Sequence, residues 1–344
     1  MKSRVIVYIT DNNYIFPTLV SISSLLHNAT SKIIVNIVSV DVSKENKEII
    51  KNYQNRKISI NIIDVKNTFL NLGENHFYVS KASLFKFMLP EIFPNLNEIL
   101  YIDSDVILNK GFEKIFNFDI KNYYAAVVQD MIAVIQDGWH TRLNHTKYFN
   151  SGVMYLNLKK MRQHAITKKL IEYKRNDITT AFMDQNALNA IIGDNCIYIS
   201  PDYNFLNTYL DKYTKYEISD FYKIDCNEID KISKSPLFFH FAGSLKPWKS
   251  TLASKFEYWY SYVNSSAKTI KNDYNINKLN TMFFKNTINE VEKKYEKLEI
   301  QFKSSLEKIE ALYNELLYVK QHTVWGGAIQ LVKLLKLILK KITH

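Results

Sequence analysis

Residues 98–106 of this 344-residue chain read Glu-Ile-Leu-Tyr-Ile-Asp-Ser-Asp-Val. The apolar run is typical of a buried strand, and it delivers two carboxylates, Asp103 and Asp105, at the strand's carboxyl end. Ligands bind at that end of the strands in open α/β sheets. Neighbouring carboxylates repel each other unless a cation lies between them, and their hard oxygens suit Mg²⁺ or Mn²⁺ holding a diphosphate. Solvated loop acids are the alternative, which the preceding strand disfavours.

The segments around this strand predict strands and helices in alternation. Strands are predicted at 4–9, 33–40, 58–64, 98–103, 124–128 and 152–158. Helices are predicted near 16–27, over 43–53 with Ser43 as N-cap, over 80–89 with an end at Pro90, and from the last strand to about Tyr173. This alternation indicates βαβ units, right-handed crossovers and a parallel sheet, and therefore the α/β class.

Composition and charge exclude several classes of protein. Hydrophobic residues make up 47% and charged residues 23%, which excludes global disorder. The net charge of +11 favours a phosphate-bearing partner, but only five of the 45 basic residues are arginine, which argues against a nucleic-acid partner. Two cysteines cannot form a disulfide framework, so a reducing compartment is favoured. We recognise neither a signal peptide nor a membrane-spanning run, so a cytoplasmic location is predicted.

The composition changes after residue 262. Residues 263–287 are polar and are interpreted as a linker, and a heptad pattern covers 288–320. Nine of the ten core positions are apolar, and the exception is Ser305. The a positions are Ile288, Tyr295, Phe302, Ile309 and Leu316, and the d positions are Val291, Leu298, Ser305, Leu312 and Val319. A coiled coil, either homodimeric or intramolecular, is predicted, and the alternative is an amphipathic helix that lies on the preceding domain.

Residues 321–344 contain no acidic residue and carry lysines along one stripe of an apolar helix. The run is too short and too charged to span a bilayer. It is typical of a helix that lies on an anionic membrane surface. Docking on the protein's own core is the alternative.

Four further motifs combine polar groups with strand or helix ends. Thr10-Asp11-Asn12-Asn13-Tyr14 follows the first strand, and Phe149-Asn150-Ser151-Gly152 precedes another. Asp184-Gln185-Asn186 opens a helix, and His240-Phe241-Ala242-Gly243-Ser244-Leu245-Lys246 follows a short strand. With Asp103-Ser104-Asp105, these motifs resemble, in chain order, those of family 8 glycosyltransferases, the bacterial lipopolysaccharide galactosyl- and glucosyltransferase group related to glycogenin. The resemblance covers roughly residues 3–260.

This resemblance implies a GT-A fold, with a Rossmann-like mixed sheet, for residues 1–262 and a helical C-terminal extension. It also implies a role for each matching residue. Asp103, Asp105 and His240 would hold a metal, Mn²⁺ in preference to Mg²⁺, that binds the diphosphate of a UDP-sugar. Thr10, Asp11, Asn13 and Tyr14 would contact uridine, while Ser104, Gly243 and Lys246 would bind the donor near its diphosphate. Asp130, Asn150, Asp184 and Gln185 would surround the donor sugar and serve catalysis.

Two positions depart from the family pattern. Lys86 stands where the family usually has arginine, so the charge is kept without the bidentate fork, and phosphate or carboxylate contact is expected. Asn186 stands where the family usually has aspartate. Because an amide is a poor nucleophile, front-face attack becomes the better mechanism, with Gln185 supporting the positive sugar face.

The leading hypothesis is therefore a metal-dependent retaining transferase. It would move galactose, or glucose as second choice, from a UDP-sugar to a lipid-linked glycan such as a lipopolysaccharide or lipooligosaccharide core, at the inner face of the cytoplasmic membrane. A dinucleotide-dependent oxidoreductase is disfavoured because no Gly-x-Gly-x-x-Gly follows the first strand. A non-catalytic basic coiled-coil adaptor at the membrane remains the alternative.

Overall fold

A computed structural model describes residues 4–65, 81–176, 184–265 and 276–322. The strands are β1 (Arg4–Thr10), β2 (Ile33–Val40), β3 (Ile58–Val65), β4 (Glu98–Ile102), β5 (Val106–Leu108), β6 (Ala125–Gln129), β7 (Phe149–Asn157), β8 (Cys196–Tyr198), β9 (Phe205–Leu206) and β10 (Phe238–His240). The α-helices are α1 (Ile15–Asn28), α2 (Lys44–Lys51), α3 (Leu89–Ile92), α4 (Met131–Ile135), α5 (Trp139–Arg142), α6 (Leu158–Gln163), α7 (Ile166–Asn176), α8 (Gln185–Ile192), α9 (Asn207–Lys212), α10 (Lys215–Tyr222), α11 (Cys226–Lys234), α12 (Phe256–Ser265) and α13 (Ile276–His322). Short 3-10 segments cover Asn12–Tyr14, Lys81–Met88, Phe112–Asn117, Gly193–Asn195 and Pro201–Tyr203.

The main sheet has seven strands in the order β3-β2-β1-β4-β7-β6-β8. The neighbours β3, β2, β1 and β4 run parallel, whereas β7 is antiparallel to both β4 and β6. The sheet is therefore mixed, which confirms the predicted α/β class. A second sheet has the order β5-β10-β9, with β10 antiparallel to β5 and parallel to β9.

Alternate side chains of the central strands enter two hydrophobic layers, one on each face of the main sheet. In β1, Ile6 and Tyr8 belong to one layer and Val5, Val7 and Ile9 to the other. A strand that is buried on both faces needs a continuous apolar run, and this explains the sequence of β1. The polar residues that follow such strands are displaced to the edge of the sheet.

Two predicted helices differ from the structure. The segment before Pro90 forms a 3-10 helix, and Pro90 lies in the first turn of α3 rather than at a helix end. Proline is tolerated there because the first amides of a helix have no intrahelical partner. The helix predicted to run to about Tyr173 is divided into α6 and α7 at Ala165, whose φ of +50° interrupts the helical backbone.

The C-terminal part of the chain forms a long helix. The chain divides into two compact units, residues 1–283 and 284–344. Helix α13 begins at Ile276 and α12 ends at Ser265, so the segment 263–287, which was interpreted as a linker, is helical at both ends. The sequence of this segment holds neither proline nor glycine to interrupt a helix. Within the described ranges no helix is long and apolar enough to cross a membrane, and residues 323–344 of the predicted basic segment lie outside them.

A buried carboxylate connects the loop before β2 to the start of β1. Glu113 is only 7% exposed and accepts hydrogen bonds from the backbone amide of Ser31 (3.0 Å), from the hydroxyl of Thr30 and from Arg4 (Nη1, 3.2 Å). Burial alone would raise the pKa of Glu113. The hydrogen bonds and the Arg4 charge outweigh this effect, so its pKa lies below the usual glutamate value.

We expect Glu113→Gln to lower the free energy of unfolding by about 1.5–3 kcal/mol at pH 7, the usual worth of a hydrogen bond to a charged group. The pKa of Glu113 is lowered by folding, so its contribution is present above the unfolded pKa of about 4.3 and is lost as the pH falls through the folded value. Urea unfolding at pH 7 and below pH 4 measures the difference in free energy of unfolding between the variant and the parent chain. The control is Glu48→Gln, which changes an exposed glutamate. An equal deficit at both pH values would contradict the assignment.

Candidate active site

The segment Asp103-Ser104-Asp105 connects the two sheets. The amide of Asp103 donates to the carbonyl of Gly152 on β7 (2.8 Å), and the carbonyl of Asp105 accepts from the amide of Phe241, which follows β10 (3.0 Å). One carboxylate thus belongs to the main sheet and the other to the small sheet. Their backbone positions are fixed from both sides.

The register of the small sheet brings His240 to these carboxylates. His240 pairs with Val106 of β5 and with Leu206 of β9. Its Nε2 lies 3.3 Å from Oδ1 of Asp105, and one ligand atom each from Asp103, Asp105 and His240 lie within 4.8 Å of one another. The imidazole packs on Gly152, where an added Cβ would come within 2.2 Å of Cε1 of His240. Only glycine leaves room for the ring.

Two lysines, the buried Lys86 and the half-buried Lys246, face the carboxylates. Nζ of Lys86 lies 3.1 Å from Oδ1 of Asp103 and 2.7 Å from Oδ2 of Asp184, and Nζ of Lys246 lies 2.6 Å from Oδ2 of Asp105. Burial alone would lower the pKa of Lys86, but the two carboxylates outweigh it and raise this pKa above its usual value. Burial would likewise raise the pKa of Asp105, but Lys246 and His240 hold it well below the usual range. Lys86 is therefore charged and Asp105 is ionised at neutral pH.

The donor set fits a divalent metal ion. Ligands on opposite sides of one ion are about 4.2 Å apart for bonds near 2.1 Å, close to the separation observed here. Tyr101 (2.5 Å) and Lys86 both contact Oδ1 of Asp103, which leaves Oδ2 toward such an ion. Two carboxylates and one imidazole suit Mn²⁺, whereas Mg²⁺ prefers oxygen ligands alone.

A chain of amide hydrogen bonds fixes the tautomer of His240. The amide N–H of Gly152 donates to Oδ1 of Asn150 (3.0 Å), so the identity of that oxygen is certain. The same oxygen accepts from Nδ2 of Asn204 (2.9 Å), and Oδ1 of Asn204 therefore faces Nδ1 of His240 (3.0 Å). A carbonyl oxygen only accepts, so Nδ1 carries a proton, and Nε2 is the ring nitrogen available to a metal.

The same network continues to the residues assigned to the donor sugar. Asn150 (3.1 Å) and Gln185 (3.2 Å) both donate to Oδ2 of Asp130, and Oε1 of Gln185 accepts from the amide of Ser151 (3.0 Å). The hydroxyl of Ser151 donates to Asp184 (2.8 Å). All five side chains are buried. The structure thus brings Asp130, Asn150, Asp184 and Gln185 together, as the resemblance implied.

The residues expected to contact uridine and the diphosphate differ in their exposure. Thr10 and Ser104 are buried and both contact the hydroxyl of Thr18 (3.0 and 2.8 Å). Asp11 caps the following 3-10 turn through the amides of Asn13 and Tyr14, which leaves Asn13 exposed. The ring of Tyr14 lies edge-on to Trp248, with centroids 5.8 Å apart.

Gly243 lies in the loop that returns Lys246 to the site. Its φ is +85°, which favours glycine, and an added Cβ would lie 3.1 Å from Thr208. Lys246 also donates to the carbonyl of Phe241 (2.8 Å), so the loop closes on itself beside Asp105. Gly243 is exposed at this turn.

Asn186 is hydrogen-bonded to Tyr148. It is 1% exposed, and its Oδ1 accepts from the hydroxyl of Tyr148. Such a buried, hydrogen-bonded amide stabilises the base of helix α8. It is not a nucleophile.

Sequence analysis gave no role in this site to Tyr101, Ser151, Gly152 or Asn204. Tyr101, Ser151 and Gly152 lie within the quoted motifs, and Asn204 lies outside them. Each acts by holding a neighbour in place, through a hydroxyl, a missing Cβ or an amide. Except for the contact of Tyr101 with Asp103, these roles depend on contacts across 30 or more positions of sequence, which residue types alone do not reveal.

Solved structures identify the fold. The galactosyltransferase LgtC, in complex with donor and acceptor sugar analogs, superposes with a TM-score of 0.65 at 22% identity, over 78% of this chain and 100% of that chain. The glycosyltransferase GlyE of Streptococcus pneumoniae superposes with a TM-score of 0.60 at 22% identity, over 81% of this chain and 64% of that one. The fold is that of the GT-A glycosyltransferases.

The sequence profile of glycosyl transferase family 8 matches residues 5–252, and the chain belongs to this family. A Haemophilus influenzae relative is 29% identical over 210 residues, which are 59% of this chain and 63% of that protein. The chain thus matches less than two thirds of that relative's length. The lipopolysaccharide 1,2-glucosyltransferase of Escherichia coli K12 is 26% identical over 251 residues, 71% of this chain and 72% of that protein.

We expect Asn204→Leu to weaken Mn²⁺ binding by about 10–100-fold, because such losses follow removal of the hydrogen bond that orients a metal-binding histidine. Titration calorimetry with Mn²⁺ alone measures this without turnover. Asn204→Asp keeps an acceptor for Nδ1 but loses the donor to Asn150, so it should weaken Mn²⁺ binding less than the leucine variant does. Asn207→Ala, an equally buried amide three residues away, is the control. Equal losses in the leucine and aspartate variants would reduce Asn204 to a packing residue.

Proposed function

We propose that this protein is a metal-dependent retaining hexosyltransferase that moves galactose or glucose from a UDP-sugar to a lipid-linked glycan, such as a lipopolysaccharide or lipooligosaccharide core or a related surface polysaccharide. The observation that carries the proposal is the cluster of Asp103, Asp105 and His240 at the carboxyl end of β4. A cluster of this kind binds a divalent ion and, through it, a diphosphate. The buried amide and carboxylate side chains beside it form a polar wall for the donor sugar.

Asp103, Asp105 and His240 would hold the metal, which in this role neutralises the leaving diphosphate. Lys246 would add a positive charge of the protein itself beside the leaving diphosphate. Its ammonium is held by Asp105 and by the carbonyl of Phe241, so it needs little rearrangement to face a phosphate. Charge stabilisation of this preorganised kind is commonly the largest part of catalysis.

Gln185 is proposed to face the reacting sugar. Its amide is oriented by Asp130 on the nitrogen side and by the amide of Ser151 on the oxygen side. One lone pair of Oε1 remains beside that contact, and it supports the positive charge that develops at the anomeric carbon. With Asn186 turned to Tyr148, the acceptor hydroxyl enters on the face from which UDP departs.

The donor is either UDP-galactose or UDP-glucose. Family relatives include a lipopolysaccharide 1,2-glucosyltransferase, and a galactosyltransferase shares the fold. Galactose is our first choice and glucose the second. Both therefore belong in the panel of nucleotide sugars to be assayed.

With Mn²⁺ and that panel, we expect UDP release from one UDP-hexose. Asp103→Ala should reduce it at least 100-fold, because a metal ligand and its charge are lost. UDP should raise the melting temperature of the parent chain only when Mn²⁺ is present. The matched control is Asp220→Ala, which removes an exposed carboxylate paired only with Lys223.

The alternative is a non-catalytic basic coiled-coil adaptor at the membrane. It predicts no UDP release from any sugar and no stabilisation by UDP with Mn²⁺, in a chain that is folded by circular dichroism. That result would overturn the transferase proposal.

We also propose that residues 321–344 bind an anionic membrane surface and that residues 288–320 pair two copies of the chain. The first proposal is supported by the absence of acidic residues and by the lysine stripe, and the second by the heptad pattern. Together they would place the enzyme on the inner face of the cytoplasmic membrane, beside a lipid-linked acceptor.

Sedimentation with vesicles containing phosphatidylglycerol tests the membrane proposal. Replacing Lys333, Lys336, Lys340 and Lys341 by glutamine should weaken binding at least tenfold, since each lysine near an anionic surface contributes about 1 kcal/mol. The control replaces four lysines of α13, namely Lys285, Lys293, Lys297 and Lys303. Equal losses in both variants would show that only net charge matters and would contradict a dedicated segment.

A further inference from the structure

Helix α13 presents an exposed apolar stripe at the heptad positions. Ile288, Val291, Tyr295, Leu298, Phe302 and Ile309 are between 49% and 69% exposed. The helix is continuous from Ile276 to His322, so the register holds without a break. The heptad segment 288–320 is about 50 Å long. A stripe of this length needs a partner of the same length and pattern, and a second copy of the chain supplies one.

The core residues decide how two copies pair. In a parallel pair each residue faces its own copy, so Phe302 would face Phe302 and Ser305 would face Ser305. The Phe302 layer would be overpacked, and the Ser305 layer would leave a cavity that contains two hydroxyls. Overpacking and cavities both destabilise a core. Tyr295 facing Tyr295 would add a second overfilled layer.

An antiparallel pair removes these faults. When Phe302 faces Ser305 of the partner subunit, every other core layer also joins one a position to one d position. The layers are then Ile288 with Val319, Val291 with Leu316, Tyr295 with Leu312, Leu298 with Ile309, and Phe302 with Ser305. Large residues face smaller ones along the core, and the hole at Ser305 is filled by an aromatic ring.

The flanking charges agree with this register. Lys294 then lies beside Glu315 of the partner subunit, and the symmetry of the pair repeats this contact at the other end. The remaining flanking pairs join Gln301 to Lys308 and the glutamates at 292 and 299 to Tyr313 and Leu306. Between residues of the segment 288–320 no two like charges meet, and the like-charged contact of Lys320 with Lys285 of the partner subunit falls at the end of the segment.

We propose that residues 288–320 form an antiparallel two-stranded coiled coil between two copies of this chain, centred on reciprocal Phe302–Ser305 contacts. The proposal rests on the pairing segment named under the proposed function and adds its direction and register. In this arrangement the basic residues 321–344 of one subunit follow at the end where the partner's heptad begins. The two basic segments therefore lie at opposite ends of the coiled coil.

Disulfide cross-linking of the full chain tests the direction. Cysteines at positions 298 and 309 face each other across the antiparallel pair, whereas two copies of position 298 lie about 16 Å apart along it. A disulfide needs Cα atoms closer than about 7 Å. The background is Cys226→Ser, because Cys226 is partly exposed while Cys196 is buried.

The double variant Leu298→Cys/Ile309→Cys should form covalent dimers on mild oxidation, and each single variant should not. Lys297→Cys, on the outer surface of the coil, measures random collision. Covalent dimers from either single variant above that level would overturn the antiparallel direction in favour of a parallel one.

No covalent dimer from any variant, with a monomeric mass by light scattering, would overturn the pairing itself. UDP release by the same preparations distinguishes this outcome from failure of the transferase proposal, because the introduced cysteines lie outside residues 1–262 and the Cys226→Ser background is assayed beside them. Active monomers would contradict the coiled coil alone.

Discussion

Two carboxylates separated by a single residue are the constraint on which this site depends. Asp103 and Asp105 would repel each other in a largely buried position, so the surrounding elements must supply positive charge. Lys86 comes from the 3-10 segment before α3, and Lys246 comes from the loop after β10. The register of the small sheet places His240 beside Asp105, and the loop after β10 returns Lys246 to the same carboxylate.

A chain of hydrogen bonds that orients the side chains of the site starts from a backbone amide. The N–H of Gly152 orients Asn150, Asn150 orients Asn204, and Asn204 fixes the proton on His240. Asn150 also meets Asp130, which holds Gln185. The residues proposed to hold the metal and those proposed to hold the sugar are therefore parts of one network. Each buried polar group in it has a partner, which makes a single arrangement favourable.

Local pattern was sufficient for the strands and for the motifs that end them. The apolar runs of β1, β2 and β4 predicted buried strands, and the polar residues after them predicted a site at one edge of the sheet. Local pattern could not place Pro90 inside a helix turn or divide α6 from α7 at Ala165, because those features depend on single backbone angles. Nor could it show that residue 204 touches residue 240, since that contact arises from the register of β9 beside β10.

Lys86 shows how a departure from the family pattern acquires a physical meaning. An arginine would present a planar fork, whereas the single ammonium of Lys86 contacts Asp103 and Asp184 together, with the carbonyl of Ser151 also near it (3.3 Å). One point charge thus joins a carboxylate of the metal cluster to a carboxylate of the sugar wall. Any cation that draws Asp103 away from Lys86 changes the charge balance at Asp184. The two proposed halves of the site therefore share one buried amine.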